Sequence, residues 1–212
     1  MSTGIQDSLF DTPAAADDAP TVHSLATGIT RRALGADAWV DLRPGWLTGT
    51  VGLFDRLRRS VPWRAEQVRM YDSTLPVPRL TAAYPADTRL PDPLLGELRA
   101  ALTDHYRSAL PEGFASAGLC LYRDGRDSVA WHGDRIGRGA YRDTLVAIVS
   151  LGAPRVLALR PRGGGRSLRF TLGSGDLLVM GGSCQRTWDH AVPKAPGVGP
   201  RMSVQFRPPG VL

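Results

Sequence analysis

Cysteine, lysine and histidine are all scarce in this chain of 212 residues, and each shortage excludes something. Two cysteines, Cys120 and Cys184, are too few for the disulfide framework of a small secreted domain, so both are expected as reduced thiols. No apolar run approaches the roughly 20 residues that a membrane helix needs. The start, Met1 to Pro20, lacks the basic-then-apolar pattern of a secretory leader. The simplest reading is a cytoplasmic protein without a membrane span. A single lysine, Lys194, stands among 26 basic side chains, so the formal charge of +6 is carried by arginine. Arginine is the better residue for phosphate and stacked bases, although a bias toward arginine codons explains the count equally well. Either way the surface attracts nucleic acid.

What is present is room for one domain with a sizeable core. Residues 1–35 are polar and poorly periodic and read as a mobile tail. From Asp37 to Ser60, Trp46, Val51, Leu53, Phe54 and Leu57 fit one face of a helix with Arg56, Arg58 and Arg59 solvated. Val61–Tyr71 and Pro78–Tyr84 read as a strand pair. Pro91-Asp92-Pro93 opens a second helix that runs to Leu110. After Gly113 the pattern changes to short Val-, Leu- and Ile-rich strands near 118–122, 128–131, 144–151, 155–160, 167–172, 176–180, 190–193 and 202–206, with Gly163-Gly164-Gly165 as a hairpin tip. That spacing predicts a mainly β fold with flanking helices (α+β), its core a jelly roll or double-stranded β-helix. There is no internal repeat.

Four histidines exist: His23, His105, His132 and His190. His23 falls in the expected tail and His105 in the second helix, both suited to exposed or structural roles. His132 differs. In Trp131-His132-Gly133-Asp134 a strand would place His132 and Asp134 on one face. His190, in Trp188-Asp189-His190, would complete a 2-His-1-carboxylate triad, the arrangement that leaves coordination positions open in non-haem Fe(II) oxygenases. Downstream, Arg201, Ser203, Gln205 and Arg207 share one face of a strand. A guanidinium binds a carboxylate through two parallel N–H bonds, and more strongly out of water. Iron ligands beside such a clamp suggest a 2-oxoglutarate-dependent dioxygenase.

The stretch from Leu119-Cys120-Leu121-Tyr122 to Trp131-His132-Gly133-Asp134 resembles the AlkB family of Fe(II)/2-oxoglutarate dioxygenases. So do Ser150-Leu151-Gly152-Ala153, Gly175-Asp176 through Met180, Gln185 and Trp188 to Lys194. Upstream, Val61-Pro62-Trp63 and Pro78-Arg79-Leu80 through Tyr84 resemble the segment that covers the nucleotide in the branch acting on methylated DNA and RNA. The resemblance spans about residues 60 to 208. It implies one AlkB-like domain over 36–212, with helices and nucleotide-covering strands in 36–112 and a jelly-roll catalytic core in 113–212.

The resemblance further implies that His132, Asp134 and His190 ligate Fe(II). Arg201 would hold the distal carboxylate of 2-oxoglutarate with a hydrogen bond from Tyr122, and Arg207 would lie near the metal-bound end. The family usually carries asparagine where Cys120 and Ser203 stand, so these two would line the cosubstrate with weaker or shorter groups. Trp63 and Tyr84 are candidates to stack on a flipped base, with core packing as the alternative, and Arg79 belongs to the same covering segment. Where relatives place acidic residues after the metal motif, this chain has Arg135-Ile136-Gly137-Arg138, so a base would lose that acceptor and Arg135 and Arg138 could instead grip a phosphate backbone. The implied reaction consumes 2-oxoglutarate and O₂ and hydroxylates an N-methyl group, releasing formaldehyde, succinate and CO₂. The implied partner is alkylated DNA or RNA, single-stranded favoured because flipping a base from a duplex costs a few kcal/mol, with a monomer as the default state. Two alternatives stand beside it. One is the same chemistry on a small molecule or protein; the other is a nucleic-acid-binding module that is not an enzyme.

Overall fold

The short apolar runs after Gly113 pair into two antiparallel sheets in the computed structural model, which describes residues 19–70, 73–133 and 138–211. In chain order the elements are β1 (Thr21–Val22), β2 (Thr30–Gly35), β3 (Ala38–Arg43), β4 (Leu47–Thr48), α1 (Val51–Ser60), β5 (Arg64–Met70), β6 (Ser73–Tyr84), α2 (Pro93–His105), β7 (Ser116–Tyr122), β8 (Val129–His132), β9 (Val146–Gly152), β10 (Arg155–Pro161), β11 (Leu168–Leu172), β12 (Leu177–Gly181), α3 (Cys184–Thr187), β13 (Trp188–Val192) and β14 (Arg201–Arg207). The large sheet runs β2-β3-β12-β9-β14-β7-β6-β5 and the small sheet β11-β10-β13-β8, while β1 pairs with β4. Val146, Ile148, Leu178 and Met180 of the large sheet pack with Leu157, Leu159, Phe170 and Val192 of the small one, so the two sheets close as a sandwich of jelly-roll type.

Strand alternation gives the large sheet two unlike faces. Leu119, Leu121, Val149, Leu151, Met202, Val204 and Phe206 point outward into a core shared with Leu53 and Leu57 of α1 and Leu95, Leu98 and Leu102 of α2. The alternate residues, Cys120, Tyr122, Ile148, Ser150, Arg201 and Ser203, point into the sandwich. The helices that seal the outer face begin where the sequence directs. Asp92 accepts from the Leu94 amide at 3.0 Å, Pro93 follows it as a first helical residue, and Arg56 of α1 donates to the same carboxylate at 2.8 Å.

All eight strands expected after Gly113 are present, their ends shifted by a residue or two, and all three glycines of the 163–165 tip have positive φ. The strand pair is present as β5 and β6, but β6 begins at Ser73 rather than Pro78, so most of the expected connecting loop is paired strand, and residues 71–72 lie outside the described set. Two further expectations need correction. The helix expected over 37–60 is confined to α1, because Ala38 and Val40 alternate inward as β3 and the chain then turns at Pro44-Gly45. Within the expected tail, residues 21–22 and 30–35 are strands. β2 is a mostly exposed edge, Thr-Arg-Arg-Ala-Leu-Gly, whose pairing to β3 leaves no apolar alternation to read. Residues 1–18 lie outside the described set. Both cysteines are free; Cys184 is buried, which pushes its thiol up to about 12. Among the described residues no helix is long and apolar enough to cross a membrane.

Candidate active site

β8 and β13 bring the two histidines together. His132 and His190 are direct cross-strand partners, with ring centroids 4.2 Å apart. The next aligned pair is Val129 with Val192, so three steps along β8 match two along β13, which is a β-bulge. The bulge lets Val129 and His132 both face the interior, where perfect alternation would turn one of them out. His132 Nδ1 lies 2.9 Å from the Ala130 carbonyl, an acceptor only, so this nitrogen carries a proton and the metal-binding lone pair belongs to Nε2. His190 is 8% exposed. β8 ends at His132, and Asp134 and Arg135 lie outside the described residues. Among the described residues no three His, Cys, Asp or Glu side chains form a metal cluster.

A cavity of about 470 Å³ opens between the sheets in front of this pair. Its floor is the inward face of β14 against β7, with Arg201 opposite Tyr122, Ser203 opposite Cys120, Gln205 opposite Gly118 and Arg207 opposite Ser116. Arg201 is 1% exposed. Its Nε donates to Ser150 Oγ at 3.1 Å, its guanidinium lies 5.0 Å from the Tyr122 ring, and its Nη1 has no partner. A buried guanidinium is costly unless paired, and burial accordingly lowers the pKa of Arg201. Burial, and then the neighbouring Cys120, push the Tyr122 hydroxyl up to about 12, against the pull of Arg201, Arg79 and a hydrogen bond with Ser203. An unpartnered N–H and a protonated phenol beside a buried cation fit a carboxylate of a small diacid. Two imidazoles on adjacent strands likewise suit a divalent transition metal.

Eight of the residues singled out in the sequence thus share one cavity: Arg79, Cys120, Tyr122, His132, His190, Arg201, Ser203 and Arg207. Trp63 and Tyr84 do not. Tyr84 pairs with Ala117, whose parity on β7 is that of the helix-side core, and it is 8% exposed there. Trp63 packs on the same core and donates its indole N–H to the Arg58 carbonyl at 3.1 Å. Arg155 is a contributor that sequence reasoning missed. It is buried, donates to the carbonyls of Asp124 (3.1 Å), Asp127 (2.8 Å) and Pro193 (2.8 Å), and so ties the β7–β8 loop to the segment after β13. The Tyr122 ring has the Arg155 guanidinium 5.5 Å away in addition to that of Arg201.

A second depression, of about 810 Å³, lies on the outer side of the small sheet and shares Arg79, Val129 and Val192 with the cavity. Paired Ala158 and Ala191 line it, together with Trp131, which stacks with Arg160 at 4.3 Å. Arg79, Arg169 and Lys194 are its charged lining residues, all of them cations.

The chain is similar to known proteins in sequence and in fold. A sequence model of the 2OG-Fe(II) oxygenase superfamily matches residues 48–207. Alpha-ketoglutarate-dependent dioxygenase alkB homolog 3 of Bos taurus is 31% identical over 201 residues, which is 85% of this chain and 67% of that protein. DNA oxidative demethylase ALKBH2 of Arabidopsis thaliana is 29% identical over 192 residues, covering 73% of this chain and 60% of that protein. The solved structure of OsALKBH1 superposes with a TM-score of 0.58 at 15% identity, over 84% of this chain and 100% of that one.

Proposed function

The chain belongs to the AlkB family of Fe(II)- and 2-oxoglutarate-dependent dioxygenases, and we propose that it removes N-methyl groups from alkylated bases of DNA or RNA. When bound, iron and 2-oxoglutarate supply with O₂ the oxidising equivalent that hydroxylates a substrate C–H bond, leaving succinate and CO₂. On an N-methyl base the hydroxymethyl product loses formaldehyde and returns the unmodified base.

The protein's part is to bind, orient and exclude water. His132 and His190, joined by Asp134, hold the iron. Arg201 and Tyr122 hold the distal carboxylate of 2-oxoglutarate, Cys120 and Ser203 line its chain, and Arg207 lies toward the metal-bound end. Val129, Val146, Ile148, Leu157 and Val192 form dry walls, which strengthen every charge interaction inside. With Trp63 and Tyr84 in the helix-side core, the base is left to stack on the His132 ring.

The observation that carries the nucleic-acid reading is the depression beside the cavity. Its apolar lining suits a nucleobase, and Arg79, Arg169 and Lys194 suit the flanking phosphates. In the sequence, Arg135 adds a further cation three residues after His132. The reading favours a single strand, which needs no base pair broken, bound by a monomer. A second reading, hydroxylation of a small molecule or protein, draws support from Arg135-Ile136, which offer no carboxylate to a cationic base.

The test is formaldehyde and succinate release from a single-stranded oligonucleotide carrying 1-methyladenine or 3-methylcytosine, with Fe(II) and 2-oxoglutarate. Release of both, matched to loss of the methyl group, is the expected result. Succinate without demethylation would favour the second reading.

A further inference from the structure

Four of the five tryptophans serve the two cores: Trp39, Trp46 and Trp63 pack in or against the helix-side core, and Trp188 packs against the core between the sheets. Trp131 belongs to neither. It precedes His132 on β8 but lines the outer depression, whereas His132 lines the cavity, so the two side chains leave the strand on opposite sides. Arg160 follows Leu159, which points into the sandwich, and so leaves β10 on the outer face as well. There its guanidinium lies 4.3 Å from the centroid of the Trp131 ring, a cation–π contact that orients the indole. Trp131 lines the depression and Arg160 does not, so the ring meets the open space with the part that the guanidinium leaves uncovered.

The surroundings indicate which ligand such a ring would take. Ala158 and Ala191, cross-strand partners, give the depression a floor of short side chains that leaves room beside the indole. Its charged lining residues are the cations Arg79, Arg169 and Lys194, and Asp189, which stands opposite Arg160 in register, is not part of the lining. A flat aromatic wall, a short aliphatic floor and a rim of cations suit a stacked base with its phosphates outside. β8 is the last strand of the small sheet, and the depression and the cavity share Arg79, Val129 and Val192, so the two recesses meet at this strand.

We propose that Trp131, held by Arg160, is the stacking platform for the nucleotide next to the one that enters the cavity. A single strand passing over β8 lays one base beside His132 and its neighbour on Trp131, on the two sides of the same β-strand. Every base has a π-face, so this subsite accepts any neighbour. The proposal rests on the reading that the chain acts on nucleic acid.

The test is a fluorescence-anisotropy titration of the full chain, loaded with Mn(II) and 2-oxoglutarate, against a single-stranded oligonucleotide carrying one 1-methyladenine. Two further oligonucleotides replace the base on its 5′ or its 3′ side by a tetrahydrofuran abasic unit. With the unaltered protein, one of these replacements is expected to weaken binding about tenfold, within the range for one stacked base. Trp131→Leu should bind the intact oligonucleotide about tenfold more weakly, and the same abasic unit should then have no further effect. Trp131→Phe, which keeps a stacking ring, should recover most of the affinity and the abasic penalty with it. Mere disturbance of the neighbouring His132 would weaken intact and abasic oligonucleotides alike, and an abasic penalty that persists at full size in Trp131→Leu would overturn the proposal. So would full-strength binding of both abasic oligonucleotides by the unaltered protein. Failure of the parent reading is distinguishable, because the unaltered protein with Fe(II) would then release no formaldehyde from the intact oligonucleotide.

Discussion

The two faces of the three strands β7, β9 and β14 are made from the same backbone and neighbouring residues, yet they do opposite work. On the outer face Leu119, Val149, Leu151, Val204 and Phe206 meet helix side chains and carry no polar group. One residue along, on the inner face, Tyr122, Ser150, Arg201 and Ser203 are equally buried but polar, and one guanidinium nitrogen has no partner. The outer face gains its free energy on folding, from apolar burial. The inner face holds a buried cation with an unpartnered N–H, which folding alone leaves unsatisfied. Stability and chemistry are separated here by a single step of strand alternation.

That separation can be broken from either side. The largest effect is expected outside: Phe206→Ala should lower the unfolding free energy by about 3–5 kcal/mol in urea titrations, while protein that remains folded binds 2-oxoglutarate with little change. The mirror experiment is Arg201→Met. It should weaken 2-oxoglutarate binding roughly a hundredfold, since it removes one partner of a buried charge pair. Its unfolding free energy should stay within about 1 kcal/mol of the parent or rise, because an unpaired buried cation has been replaced by an apolar side chain. A large loss of stability in Arg201→Met would mean that the inner face also supports the fold. The smallest effect concerns the loop that leads into β8. Burial raises the pKa of Asp127, but hydrogen bonds from Arg123 at 2.8 to 2.9 Å outweigh it and hold the carboxyl below its ordinary value. A carboxyl depressed in the folded state adds stability above the unfolded pKa of about 3.9 and loses it as pH falls through the folded value. Arg123→Ala should therefore cost up to about 1 kcal/mol at pH 7, the exposed arginine limiting the gain. The difference should shrink below about pH 4.

The parts of this arrangement legible in the sequence are those that depend on local period. Strand parity alone put Arg201, Ser203, Gln205 and Arg207 on one face, and the structure places all four on the cavity floor. Parity could not say which face of β6 meets the cavity, because that depends on the long-range pairing of Tyr84 with Ala117. Arg155 was illegible for a related reason. Its three acceptors are backbone carbonyls, which carry no residue-type signal. β2 was hidden because an exposed edge strand needs no apolar residues. Family resemblance supplied most of the chemical roles, and residue pattern supplied the scaffold.

The extra residue between Val129 and His132 gives chain length a role of its own at this site. Each substitution at Ala130 or Trp131 changes one side chain, but removing either residue would restore strict alternation and rotate the imidazole of His132 away from His190 or pull the Asp127 anchor out of place. The stretch from 127 to 132 therefore works as a ruler. Its composition can drift, while its count of residues is set by the span from the Arg155 staple to the cross-strand pair of His132 and His190.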